Sequence, residues 1–190
     1  MHYQKIDFGG TTFDGKDRSP EYESIFPNPP TGKTILDIGC NLGYYSLRAG
    51  LEGAKKVVGI DNHSEFISGA NKVKNELKLD NVNFECIDFM NYPVESFDIV
   101  LCLYVMHHLP TPQKVENWLT KMNKIAKRMI VLGVLDCDKG IEIRKNKIGN
   151  PKIHMAGDFI GRTLTNVEAM GERNSQITMG RKVIFVWKNR

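Results

Sequence analysis

The sequence predicts an α/β fold: a doubly wound, mostly parallel seven-stranded sheet with an antiparallel C-terminal hairpin. Two observations predict it. Between residues 34 and 135, short apolar runs alternate with segments of helical period. Strand–helix–strand units of that kind cross over right-handedly and build a parallel sheet with helices on both faces. Beyond residue 166 the pattern changes to two strand-like runs around a turn-rich stretch, which reads as a hairpin closing one edge of the sheet.

Taken in order, TILDIG (34–39) is a short apolar strand ending in glycine, and residues 43–51 follow as a helix. KVVGID (56–61) is a second strand, ending in an acid. Residues 63–78 read as a helix whose apolar stripe is Phe66, Ala70, Val73 and Leu77. VNFECID (82–88) is a third strand. FDIVLCLYV (97–105) is a fourth, apolar enough to be buried on both faces. A helix over 113–127 leads into a fifth strand, RMIVLGVL (128–135). VEAMGER (167–173) and KVIFVWK (182–188) form the hairpin, and a short helix is expected within 155–163. Residues 1–33 are rich in Gly, Asp and Pro, and the adjacent Pro29 and Pro30 bar helix and central strand there. They read as a lead-in on the substrate side that closes over something or covers an edge, ahead of a catalytic domain spanning 34–190.

Composition bounds the function. The chain has 190 residues, 41% hydrophobic and 25% charged, which predicts a single soluble domain and excludes wholesale disorder. No apolar run approaches the ~18 residues of a bilayer-spanning helix, and the N-terminus carries no leader-like stretch. Membrane insertion and secretion are therefore disfavoured. Cys40, Cys86, Cys102 and Cys137 form no C-x-x-C pair, so they are expected as reduced thiols of a cytoplasmic protein. The net charge of +4 is mild but unevenly placed: residues 139–190 hold 11 Lys+Arg against 4 Asp+Glu, a surplus of +7. That surplus suits a solvated hairpin face or a surface attracting an anionic substrate.

Ligands of an open parallel sheet bind outside the carboxyl ends of its strands. The first strand ends Asp37-Ile38-Gly39-Cys40-Asn41-Leu42-Gly43 and runs straight into a helix. Glycines at such a turn let the backbone bend sharply and approach a ligand, while Asp37 suits a cationic partner and would repel a pyrophosphate. The second strand ends at Asp61, 22 residues after Gly39, placed to accept both hydroxyls of a ribose; Asn62 and Ser64 remain as helix caps. The third ends Asp88-Phe89, an acid for an exocyclic amine beside an aromatic ring. The fourth runs from Leu103 and Tyr104 through Val105 and Met106 to His107 and His108. An imidazole there could remove a proton from an attacking group, and Tyr44, Tyr45 and Tyr104 are further aromatics near the expected pocket.

These motifs, TILDIGCNLGYYSL, VVGIDN, CIDF and FDIVLCLYVMHHL, resemble in order and spacing those of the class I S-adenosylmethionine-dependent methyltransferases, over about residues 34–135. The resemblance implies a Rossmann-like methyltransferase fold with S-adenosyl-L-methionine as cofactor. It implies that Asp37, Gly39, Asn41 and Gly43 hold the methionine end, Asp61 the ribose, Asp88 and Phe89 the adenine, and Leu103 to Val105 the sulfonium side. Cys40 and Tyr44 in the loop, and Asn62 beside Asp61, complete that cofactor set, with His107 and His108 as catalytic candidates. A second stretch, FDGKDRSPEY with the first two motifs, is similar to the tRNA wobble-uridine carboxymethyltransferase group, whose arginine ahead of the first strand would fall on Arg18 or Lys16. The longer extensions of those tRNA enzymes have no counterpart here, so their substrate is not carried over.

Exclusions follow from the same positions. The fourth strand ends Leu103-Tyr104-Val105-Met106, not N-P-P-[YFW], and Asn28-Pro29-Pro30 lies ahead of the first strand, so amine methylation of DNA bases is disfavoured. A nicotinamide oxidoreductase would need G-x-G-x-x-G, which is absent. His108, Asp136 and Asp138 make too thin a set for a metal. The expected acceptor is a small molecule, with RNA second on account of the basic tail. A non-catalytic cofactor-binding partner protein is the alternative of another class.

Overall fold

The computed structural model describes residues 3–8, 10–135, 140–145, 150–155 and 160, together with the backbone of 182–188. The chain divides into two units, Met1–Pro93 and Val94–Arg190.

The first unit begins with a small antiparallel hairpin, β1 (Ile6–Phe8) and β2 (Thr11–Phe13), and a helix, α1 (Ser19–Ile25), with Pro20 in its first turn. These three elements lie inside the expected lead-in, where no regular structure was anticipated. They are fastened by burial. Ile6, Tyr22, Ile25 and Phe26 are core residues. Arg18 is only 1% exposed; it pairs with Glu21 at 3.4 Å and donates to the Tyr3 carbonyl at 3.3 Å.

The strand–helix alternation then appears as expected: β3 (Thr34–Ile38), α2 (Tyr44–Leu51), β4 (Lys56–Asp61), α3 (Ser64–Leu77) and β5 (Val82–Cys86). β3, β4 and β5 are parallel, with Asp37 opposite Gly59 and Asp61 opposite Cys86. Ile35, Leu36, Ile38, Val57, Val58 and Ile60 are all buried, which explains continuous apolar runs in place of alternation. The buried stripe of α3 is Ile67, Ala70 and Val73. Phe66, expected in that stripe, instead packs against the His63 ring with centroids 5.2 Å apart.

The second unit holds β6 (Phe97–Leu103), a single 3₁₀ turn (Met106–His108), α4 (Pro112–Ile125), β7 (Ala126–Leu135), β8 (Ile141–Lys145), β9 (Pro151–Met155) and β10 (Lys182–Lys188). Thr111 caps α4 by accepting the Lys114 N–H, and Pro112 opens its first turn. Val115, Trp118, Leu119, Met122 and Ile125 form its buried stripe. β6 and β7 run parallel, and β10 lies antiparallel along β7 from Lys182↔Leu135 to Lys188↔Met129.

The expected seven-stranded count is corrected. Five strands stand in parallel pairs, three in the first unit and two in the second, and β10 is the antiparallel addition. The other expected hairpin arm, 167–173, lies outside the described residues, as does most of the helix expected over 155–163. The count went wrong because the antiparallel partner of β10 among the described strands is β7 itself. A separate hairpin, β8–β9, occupies a stretch for which no strands were expected.

Candidate functional site

In the first unit the candidate residues gather at the carboxyl ends of β3 and β4. The turn after β3 needs three residues in the left-handed region: Gly39 (φ 71°), Asn41 (φ 54°) and Gly43 (φ 81°). A Cβ on Gly43 would also lie 2.5 Å from the Phe84 ring, so glycine is required there twice over. The Gly39 and Cys40 N–H groups both donate to the Ile60 carbonyl, at 2.8 and 3.0 Å, which lays the loop along the end of β4.

Asp37 is buried beneath this loop and accepts a hydrogen bond from the Ser46 hydroxyl on α2 at 2.7 Å. Gly59, opposite Asp37 on β4, makes room for that contact: a Cβ there would meet the Phe84 ring at 2.6 Å and Ser46 Oγ at 3.0 Å. Burial pushes the Asp37 carboxyl up to about 7, with the Ser46 hydrogen bond opposing and nearby Asp61 adding to the rise. The Cys40 thiol is likewise raised well above its ordinary value, chiefly by burial.

Asp61 ties the two loops together. Its Oδ2 accepts the Asn41 N–H at 3.0 Å, and its Oδ1 accepts the His63 N–H at 3.0 Å while lying 3.0 Å from His63 Nδ1. Ribose acceptor and helix cap were weighed as exclusive roles for Asp61, with Asn62 and Ser64 left to cap. In the structure Asp61 supports the start of α3, and Asn62 is exposed. Asn41 Oδ1 is buried with no hydrogen-bond partner among the described residues. Tyr44, the first residue of α2, gives its N–H to Gln4 Oε1 at 3.2 Å and stacks on Phe8 at 5.5 Å. Asp88 is exposed and bends its own turn by accepting the Met90 N–H at 2.7 Å, whereas Phe89 is buried.

In the second unit, β6 delivers Leu103 and Tyr104, both buried, to the turn. Tyr104 has a left-handed backbone (φ 60°) and donates its N–H to the Gly133 carbonyl at 2.8 Å. Its ring lies over Gly133, where a Cβ would come within 3.1 Å of ring carbons. The turn then places the His107 and His108 rings 4.1 Å apart, the first half-buried and the second exposed. Lys152 on β9 reaches His108 Nδ1 at 2.7 Å. Gln4, Ser46, His63 and Lys152 were not anticipated. Ser46 had a legible signal, standing one turn inside the helix that follows the glycine loop; Lys152 had none near His108 in sequence. No cluster of three or more His, Cys, Asp or Glu fit for a metal occurs among the described residues, and no helix among them is long and apolar enough to cross a membrane.

A left-handed loop between a parallel strand and a helix, with carboxylates at successive strand ends, defines a Rossmann-like ligand-binding unit. Solved structures show the same fold. Magnesium protoporphyrin IX methyltransferase from Synechocystis PCC 6803, crystallised with bound S-adenosylmethionine, matches with a TM-score of 0.66 at 20% identity, over 88% of this chain and 74% of that one. The methyltransferase-domain family matches residues 30–167, and the chain belongs to that family. Among curated relatives, tRNA U34 carboxymethyltransferase of Haemophilus influenzae (strain PittEE) is 32% identical over 59% of this chain and 37% of its own length. Ubiquinone biosynthesis O-methyltransferase of Coxiella burnetii (strain Dugway 5J108-111) is 33% identical over 44% of this chain and 36% of its own length. The chain thus spans little more than a third of the length of these relatives.

Proposed function

We propose that this chain is an S-adenosylmethionine-dependent methyltransferase that moves a methyl group to an O, N or C nucleophile of a small molecule. The observation that carries the reading is the loop after β3. It holds a buried carbonyl acceptor, Asn41 Oδ1, with no partner among the described residues, four positions after the buried carboxyl of Asp37. An unfilled acceptor and a carboxylate suit the ammonium of an amino-acid moiety and are a poor match for a diphosphate. The residues present therefore fit the cofactor.

In this reading Gly39, Cys40, Asn41 and Gly43 cradle the methionine end with their backbone, while Asp37 faces its charge. Asp61 keeps lone pairs beyond those used by Asn41 and His63, enough to accept ribose hydroxyls. Asp88, with Phe89 and Asn62 nearby in sequence, takes the adenine side. Leu103 and Tyr104 hold the sulfonium side, and His107 and His108 serve the acceptor. Bound there, S-adenosylmethionine would supply an electrophilic methyl group, for which alignment matters more than a strong base. A small acceptor is supported by the short acceptor-side elements described, one 3₁₀ turn and a hairpin of five-residue strands. A cytoplasmic setting goes with the free thiols of Cys40, Cys86 and Cys102.

RNA is the second reading, favoured by the tRNA-directed relative and by the basic surplus of residues 139–190. One experiment separates them: incubation with methyl-labelled S-adenosylmethionine and separate metabolite and RNA pools, read by mass spectrometry. Label in a small molecule supports the proposal, and label in tRNA replaces it with the second reading. Tight cofactor binding with no label in either pool would make the chain a binding module without turnover.

A further inference from the structure

The Lys152–His108 contact changes what His108 can do, given the acceptor-side role proposed above for the turn 106–108. β9 packs against this turn, and Lys152 comes from a part of the chain 44 residues away. Within the β8–β9 hairpin, Lys152 stands opposite Arg144 and His154 opposite Glu142, so these four share one face. Arg144 is satisfied by Glu142 at 2.6 Å. Lys152 has no carboxylate partner among the described residues and reaches the imidazole instead.

An ammonium has three donors and no acceptor. A contact of 2.7 Å between Lys152 Nζ and His108 Nδ1 therefore has the lysine donating and the Nδ1 lone pair accepting. Burial pulls the Lys152 amine down from its ordinary value, yet it would have to fall by about three units to be neutral near pH 7. A second positive charge on the adjoining ring is disfavoured by the first. The ring proton then sits on Nε2. Both nitrogens are committed: one lone pair is occupied and the other position carries a hydrogen.

We infer that His108 serves the acceptor as an Nε2–H hydrogen-bond donor to an oxygen of the substrate, and that Lys152 is the positioning residue that fixes this tautomer. His108 is then not the proton-removing base that its place after β6 suggested, and the acceptor carries a carbonyl, carboxylate or similar oxygen beside its nucleophile.

Long-range proton–nitrogen correlation spectra of ¹⁵N-labelled protein at pH 7 test this without any acceptor, with His108 assigned by comparison with His108→Gln. The expected spectrum shows His108 protonated at Nε2 and bare at Nδ1. Lys152→Met should abolish the preference and Lys152→Arg, still a donor, should keep it. An Nδ1–H tautomer, a doubly protonated ring, or a tautomer indifferent to Lys152→Met overturns the inference. Calorimetric binding of S-adenosylhomocysteine, run in parallel, tests the cofactor reading separately. On the acceptor that the labelling experiment reveals, His108→Gln, which keeps an N–H donor, should hold turnover within about tenfold, while His108→Ala loses about a hundredfold. Equal losses in the two variants would remove the donor role.

Discussion

Asp37 gives the sharpest quantitative handle on the proposed cofactor site. With its carboxyl raised to about 7, about half of the ligand-free molecules hold the proton near neutral pH. An ammonium arriving beside it favours the carboxylate, so binding expels that proton. If the bound-state value lies well below 6, the carboxylate fraction of the free protein is roughly 0.9 at pH 8 and roughly 0.1 at pH 6. Affinity for S-adenosylhomocysteine should therefore fall about tenfold between pH 8 and pH 6, about 1.4 kcal/mol. Close to one proton should leave per ligand bound at pH 6. Calorimetry in two buffers of different ionisation heat reads both quantities. Asp37→Asn should bind more weakly and lose most of the pH slope. Protons exchanged elsewhere, at His63 for example, are common to both proteins, so the difference between the two slopes isolates Asp37. Equal slopes would refute the reasoning. Stability gives an independent check with a definite sign. A carboxyl raised in the folded state stabilises most below its unfolded value near 4, and that contribution is lost as the pH climbs to about 7. The wild type should thus lose, relative to Asp37→Asn, on the order of 4 kcal/mol across that window.

Other variants probe the scaffold. Asp61→Ala leaves the N–H groups of Asn41 and His63 without their acceptor, at about 1–3 kcal/mol for a buried donor, and should strongly weaken S-adenosylhomocysteine binding. Unchanged affinity by calorimetry would remove Asp61 from the ribose. Gly43→Ala forces a side chain into the left-handed region and against Phe84, and urea melts should show a loss of about 1–3 kcal/mol together with lost binding. Gly133→Ala presses on the Tyr104 ring and its backbone nitrogen at 3.1 Å, and should destabilise by a similar amount, about 1–3 kcal/mol. A melt superimposable on wild type would show that the tyrosine has room to move.

The parallel layer was legible because burial on both faces leaves an unmistakable trace. Ile35, Leu36 and Ile38, or Val57, Val58 and Ile60, are apolar without interruption, and each run ends at a residue that turns the chain. The elements overlooked are those whose signal is weak or borrowed. β8 and β9 alternate in period two, Ile141 and Ile143 against Glu142 and Arg144, Ile153 and Met155 against Lys152 and His154, but each strand is only five residues long. The first 26 residues looked like cover because their burial depends on paired charges and tyrosine hydroxyls. A buried Arg18 with Glu21 is not a pattern that hydropathy reveals. At the site, glycines and carboxylates could be read from the turn they must make. Ser46 and Lys152 could not be tied to Asp37 and His108, because those contacts depend on how helix and hairpin dock.

That docking also shows where the site's rigidity comes from. Gly43, the residue before α2, offers no side chain to cap the helix, so the Tyr44 N–H would otherwise lack a partner. Gln4 supplies the acceptor from the N-terminal segment, as an N-cap side chain would from within the loop. Three consecutive residues then face three tasks. Tyr44 is held by Gln4, Phe8 and the Ser19 hydroxyl; Tyr45 donates its hydroxyl to Glu21; Ser46 donates its own to Asp37. Residues 3–26 therefore fix the position of the hydroxyl that sets the hydrogen bonding of Asp37. A displacement of that segment would shift the first turn of α2, and with it Ser46, without touching β3 or the glycine loop. The segment ahead of β3 and the ligand-facing end of β3 are one energetic unit, although the sequence places a proline-rich break between them.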